Sequence, residues 1–159
     1  MIMPINHHAT FRDAGAALGP LDKCIAAGIE HVRILLDLDA CDLVVFEHGA
    51  RDPCDGGCGI YHAHLHVVPI EQKLDVASVF TLQMPHAASS LEDLFKATSQ
   101  STSYALAGIW GEGYLCQQLS APLPSQFMRR QLAKALGREQ WDWRESWREP
   151  SMLAAMSSI

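Results

Sequence analysis

Apolar positions recur along this chain in two periods, and the change of period marks out its elements. Leu21, Cys24, Ile25, Ile29, Val32, Leu35 and Leu36 fall at helical spacing and form one stripe, which is expected to pack into the core. Pro20 suits the first helical position, while Gly28 weakens the run. A shorter helix is predicted ahead of it, from Phe11 to about Ala17, with Thr10 as N-cap and Gly19-Pro20 as the break. Met1 to Ile5 reads as the tail of a strand. Cys41 to Glu47 and Ile60 to Pro69 read as strands that pair antiparallel across the polar loop His48 to Cys58. Short helices are predicted over Val76–Gln83 and Leu91–Ala97, the second capped near Ser89 or Ser90. Tyr104–Ile109 and Tyr114–Leu119 form a hairpin about Trp110-Gly111-Glu112-Gly113. Pro122, Pro124 and Ser125 lead into a helix from Gln126 to Leu136 that Gly137 stops. The Ser-, Ala- and Met-rich last residues are expected to form a weak helix or to fray. This order of elements predicts an α+β fold with an antiparallel sheet and flanking helices.

Composition narrows the class. The chain has 159 residues, enough for one domain with a real core, and 48% of them are hydrophobic. No apolar run approaches a membrane span, and the first residues lack the basic start and apolar stretch of a signal peptide. A formal charge of −6 argues against a nonspecific nucleic-acid binder, yet leaves a small phosphorylated ligand open. The odd cysteine count, five, suits free thiols in a reducing cytoplasm. Cys24 and Cys41 lie in apolar patterns and are expected to be buried.

The chemistry concentrates in His62-Ala63-His64-Leu65-His66-Val67-Val68-Pro69. On a strand the three histidines share one face, and Ala63, Leu65 and Val67 share the other. Such a ladder suits metal binding, or attack and anion stabilisation at phosphorus. Asp55-Gly56-Gly57-Cys58-Gly59 just before it has the glycines a backbone needs to approach an anion closely. Cys54 and Cys58, with His48 or His62, offer a zinc alternative. Arg129 or Arg130, with Gln126, suits phosphate contacts, against a plain surface role. His48 is either a site residue or a turn stabiliser, and His8 is expected to face solvent.

The pattern His-φ-His-φ-His-φ-φ at residues 62–68 resembles the signature of the histidine triad superfamily. Phe46-Glu47-His48-Gly49 and Gly57-Cys58-Gly59-Ile60-Tyr61 resemble what precedes the triad in many bacterial members. Met3-Pro4-Ile5-Asn6-His7 resembles the family's earlier strand end, Pro-x-x-His. Ser125-Gln126-Phe127-Met128-Arg129-Arg130, with Trp141-Asp142-Trp143-Arg144, resembles a C-terminal extension of one branch. The resemblance implies a domain over residues 1–120, with a helical extension over 121–159 packed on it. The family's domain begins with a hairpin before the Pro-x-x-His strand. This chain starts inside that strand, so either the native protein is short or its start lies upstream of Met1. Gly59 stands where many relatives carry Ser, so a side-chain contact to phosphate is absent there.

What the resemblance implies is nucleotidyl transfer or hydrolysis in a cytoplasmic homodimer. The substrate would be a dinucleoside polyphosphate, a phosphoramidate or a similar conjugate. His64 would attack the α-phosphorus and form a nucleotidyl-histidine. His66 would donate to a phosphate oxygen or the bridging atom, with His62 and His7 in support. Gly57, Cys58, Gly59, Gln126 and Arg129 are the expected substrate contacts. No metal or other cofactor is required by this route. A nucleotide-binding domain without catalysis, and a zinc protein using the His strand, are the alternative readings.

Overall fold

The spine of the fold is β1 (Asp42–Gly49), whose Leu43 to Glu47 are all buried and whose Val44, Val45 and Phe46 are paired on both sides. A strand covered on both faces reads as a continuous apolar run, as Leu-Val-Val-Phe does here. The computed structural model describes residues 1–18, 21–38, 41–50, 52, 62–98, 103–139 and 142. Along them run α1 (Phe11–Leu18), α2 (Leu21–Leu36), β1, β2 (His66–Ile70) and α3 (Val76–Val79). Then come β3 (His86–Ala88), α4 (Leu91–Ala97), β4 (Tyr104–Ile109), β5 (Gly113–Gln118) and α5 (Phe127–Ala135). The five strands form one antiparallel sheet in the order β2-β1-β4-β5-β3. The α+β expectation therefore holds, and so does the β4–β5 hairpin. No helix among the described residues is long and apolar enough to cross a membrane.

Alternation along the strands builds two cores. Leu43, Val45, Leu65, Tyr104 and Leu106 face a layer that includes Phe11 of α1, Ile25 and Ile29 of α2, and Leu91, Leu94 and Phe95 of α4. Val44, Phe46, Ile70, Ala105, Ala107 and Ile109 face Phe80, Met128 and Leu132 on the other side. The side chains with numbering parity of Phe46 and His66 thus point toward α5.

Caps account for several boundaries. Thr10 Oγ1 accepts from the Asp13 N–H at 3.2 Å and donates to its carboxylate at 2.8 Å, as expected of the N-cap of α1. Ser90 caps α4 through the Asp93 N–H at 3.0 Å. At the end of α5, Gly137 sits at φ 65°. Its N–H reaches the Lys134 carbonyl and the Arg138 N–H reaches the Ala133 carbonyl, the paired bonds of a Schellman ending. Gly49 has a different cause: a Cβ there would lie 2.3 Å from the ring of its cross-strand partner Tyr104.

Several expectations need correction. The strand predicted from Ile60 to Pro69 begins only at His66 and runs one residue past Pro69. Ahead of it, Leu65 makes an isolated antiparallel bridge with Ile2, so Met1–Ile5 gives a single bridge where the tail of a strand was expected. Pro69 fits inside β2 because β2 is an edge strand, where a missing N–H costs no ladder bond. The helix predicted over Val76–Gln83 is one turn, Val76–Val79, ended by Phe80 and a left-handed Thr81. Strand β3 was not expected at all. Of the stripe on α2, Ile25 and Ile29 are buried, but Leu35 and Leu36 are 67% and 63% exposed, and Cys24 is exposed too. The reason is that α2 rests mainly on α1 and α4, so its last turn meets no covering layer. Cys41 is only half-buried, and His8, expected in solvent, is half-buried with its carbonyl accepting the Ala63 N–H at 2.7 Å. Gly19-Pro20, Cys54, Trp141 and residues 143–159 lie outside the described residues.

Candidate active site

The triad takes its shape from backbone bonds on either side of it. The N-terminal segment runs antiparallel to residues 63–65: Ile2 and Leu65 exchange bonds of 2.8 and 2.9 Å. This clamps Ala63 and Leu65 into the first core, each 1% exposed, and turns His64 between them the other way. His62 donates from Nε2 to the Pro4 carbonyl at 2.7 Å, and its ring meets His7 edge-on at 5.3 Å. His7 is exposed.

His64 is 4% exposed, and its Nδ1 lies 2.7 Å from the His62 carbonyl. A carbonyl can only accept, so Nδ1 carries the proton and Nε2 carries the lone pair. His66 stands edge-on to His64 at 5.0 Å and stacks on Phe46 at 4.6 Å and 11°. Burial lowers the His66 pKa from 6.5 to about 3, helped by the charges of Arg129 and the amino terminus, and by that of His64 at the acid pH where its own ring is protonated. His66 is therefore a neutral ring at pH 7. It can donate one N–H to an oxyanion, but it carries no spare proton until an anion beside it restores its basicity.

These rings line a cleft with Phe46, His48, Gln126, Phe127, Met128 and Arg129. Elements distant in sequence meet there: β1 supplies Phe46 and His48, the segment entering β2 supplies His64, β2 supplies His66, and α5 with its cap supplies Gln126, Phe127, Met128 and Arg129. Gln126 is 5% exposed and holds a left-handed backbone, φ 57°, at the start of α5. A non-glycine residue takes that conformation at a cost, and such outliers gather at functional sites. Its side chain accepts from Arg129 at 3.5 Å and donates to Asp142 at 3.4 Å. Of the two arginines, Arg129 lines the cleft, while Arg130 points to solvent.

Behind β1, on the opposite face, sits a buried polar cluster that the sequence did not announce. Glu47 is 1% exposed and accepts from the Phe11 N–H at 3.0 Å and from the Tyr104 hydroxyl. Arg12, 2% exposed, lies over the Tyr104 ring at 4.6 Å. Burial pushes the Glu47 carboxyl up to about 7, against the pull of the Tyr104 and Phe11 bonds and of the His64 and Arg12 charges. The Tyr104 hydroxyl is raised well above its usual range, again chiefly by burial.

His62, His64, His66, Gln126 and Arg129 thus gather in one region, with His7 behind His62. Phe46 was missed, although its parity with His48 on a strand paired to the His strand was the available signal. Gly57, Cys58 and Gly59 lie outside the described residues, as does Cys54 of the zinc alternative. Among the described residues, no three His, Cys, Asp or Glu side chains converge as metal ligands. Cys116, fully buried, has its thiol pushed up to about 12 by burial, which leaves it a poor nucleophile. Set against known proteins, the chain matches no family model and no curated sequence.

Proposed function

We propose that the protein is a nucleotidyl hydrolase or transferase of the histidine triad type, acting at the α-phosphorus of a nucleotide conjugate. The observation that carries the reading is the bond from His64 Nδ1 to the His62 carbonyl at 2.7 Å. It holds the ring in the tautomer whose Nε2 is nucleophilic near neutral pH, without a separate general base.

The chemistry follows from that tautomer. Nε2 of His64 forms a bond to phosphorus while the bond from phosphorus to the leaving group breaks, and the leaving group departs with the electron pair and takes up a proton from solvent. In this reading the N–H of His66 and the Arg129 guanidinium, which line the same cleft, take charge on the phosphoryl oxygens, where most of the stabilisation in phosphoryl transfer lies. Water, or another acceptor hydroxyl, then attacks phosphorus from the vacated side and releases its proton to solvent, the P–N bond breaks with its electron pair returning to Nε2, and His64 regains its neutral form. The working unit in this reading is a homodimer, following the family resemblance.

Turnover of a panel of adenosine and guanosine phosphoramidates and dinucleoside polyphosphates tests the proposal. Replacing His64 by Ala is expected to lower kcat by about a thousandfold or more with the fold unchanged. Equal turnover by the variant would remove the proposal.

A further inference from the structure

A second hollow, of about 310 Å³, lies between β2 at the sheet edge and α5. That volume is at the lower end for a small-molecule site. Its apolar wall is Val68, Pro69, Leu132, Ala133 and Leu136. It shares Phe46, His66 and Arg129 with the histidine cleft, so the two adjoin across the His66 ring. At its other end stands Arg138. The Schellman ending of α5 fixes the backbone of Arg138 over the last turn through the bond to the Ala133 carbonyl at 2.8 Å.

The charges are what select an occupant. The chain carries −6 overall, yet the charged residues that line this hollow among the described residues are Arg129 and Arg138. Glu71 shares the adjacent depression with Arg138, and the two form no ion pair among the described residues. An apolar trough with a cation at each end fits a molecule with an anion at each end and a ring-sized apolar body between.

In-line displacement decides which part of the substrate this is. The leaving group must depart from the side of phosphorus opposite the attacking nitrogen. The hollow that adjoins the histidine cleft across the His66 ring is the neighbouring space a departing group could occupy. We infer that this hollow is the leaving-group subsite, and that the physiological leaving group has an apolar, ring-sized body ending in a carboxylate or phosphate. Arg129 holds the phosphoryl end and Arg138 the distal anion. The inference rests on the proposed nucleotidyl transfer and narrows it: a leaving group as small as ammonia leaves the trough unused.

The test compares nucleoside 5′-(4-carboxyphenyl) phosphates with the matching 5′-phenyl phosphates, made with each common base, on the full chain. The wild type is expected to prefer the carboxylated ester. Arg138→Ala is expected to lower that preference about tenfold, the scale of one charge-assisted hydrogen bond. Ala133→Leu, which narrows the trough, is expected to slow both aryl esters relative to the nucleoside phosphoramidate that releases ammonia. If both esters are cleaved and their ratio is the same in wild type and Arg138→Ala, the subsite is wrong while nucleotidyl transfer stands. If neither ester nor the phosphoramidate is cleaved with any base, the proposed activity fails and the subsite falls with it.

Discussion

Replacing Glu47 by Gln should change how stability depends on pH in a way that isolates one carboxyl group. In the folded chain burial raises the Glu47 pKa from 4.5 to about 7. The folded state then binds a proton that the unfolded state has released, so stability falls as pH rises from 4.5 through 7. A rise of about 2.5 pH units at 1.36 kcal/mol each amounts to a loss on the order of 3 kcal/mol, complete above pH 7. His66 acts in the opposite sense. Its pKa drops from 6.5 to about 3, so its contribution is present above 6.5 and disappears as pH falls toward 3. Between pH 4.5 and 6.5 the two slopes oppose each other in the wild type. Gln keeps the shape and an acceptor for the Phe11 N–H, and it has no proton to lose. The Arg12 charge acts on the ionised form of Glu47 and is already contained in its pKa, so it adds no further pH dependence to the difference. Urea unfolding of both proteins, followed by tryptophan fluorescence from pH 4 to 8, measures the difference. The variant is expected to gain on the wild type by on the order of 3 kcal/mol across that range. A difference that stays flat, or that shrinks with rising pH, would show that Glu47 is ionised in the fold and would refute the argument from burial.

Other outcomes follow from the same geometry. Gly49→Ala puts a Cβ 2.3 Å from the Tyr104 ring, and equilibrium unfolding is expected to show a loss of about 3 kcal/mol from overpacking. Phe46→Ala removes both a core ring and the stack under His66, so a cost of about 3–5 kcal/mol should be joined by a loss of turnover that rescue of the fold by low temperature does not restore. Leu35→Gln on the exposed turn of α2 should change monomer stability by about 0.5 kcal/mol or less, checked by the same unfolding assay.

Much of the fold was legible because it is written in local periodicity. The boundaries of α1, α4, β4 and β5 follow from caps, alternation and turn residues within a few positions of one another. The errors have the opposite origin. The exposed Leu35 and Leu36 satisfy a helical stripe, but whether a stripe is covered depends on which layer sits above it. Strand β3 has three residues, His86-Ala87-Ala88, and gains its identity only from pairing with β5. The His strand begins late because Leu65 pairs with the far N-terminus rather than with β1.

The site divides in the same way. Its histidines stand out because three polar rings on an apolar strand are costly unless used, and their spacing is local. Glu47 reads as one more polar residue in Phe-Glu-His-Gly. Its partners Phe11 and Tyr104 lie 36 and 57 positions away, and only the sheet brings them to it. The trough beside α5 was equally hidden, since Val68 and Leu132 come from separate elements and Arg138 owes its place to a glycine ending.

The most direct measurement is intact and peptide mass spectrometry of a single-turnover mixture, quenched in base because a phosphorus–imidazole bond is labile in acid. The account predicts a transient species heavier by one nucleotidyl group, with the added mass on the peptide that contains His64, and no such species in His64→Ala. Turnover with label on another residue, or undiminished turnover in the His64→Ala protein, would contradict it.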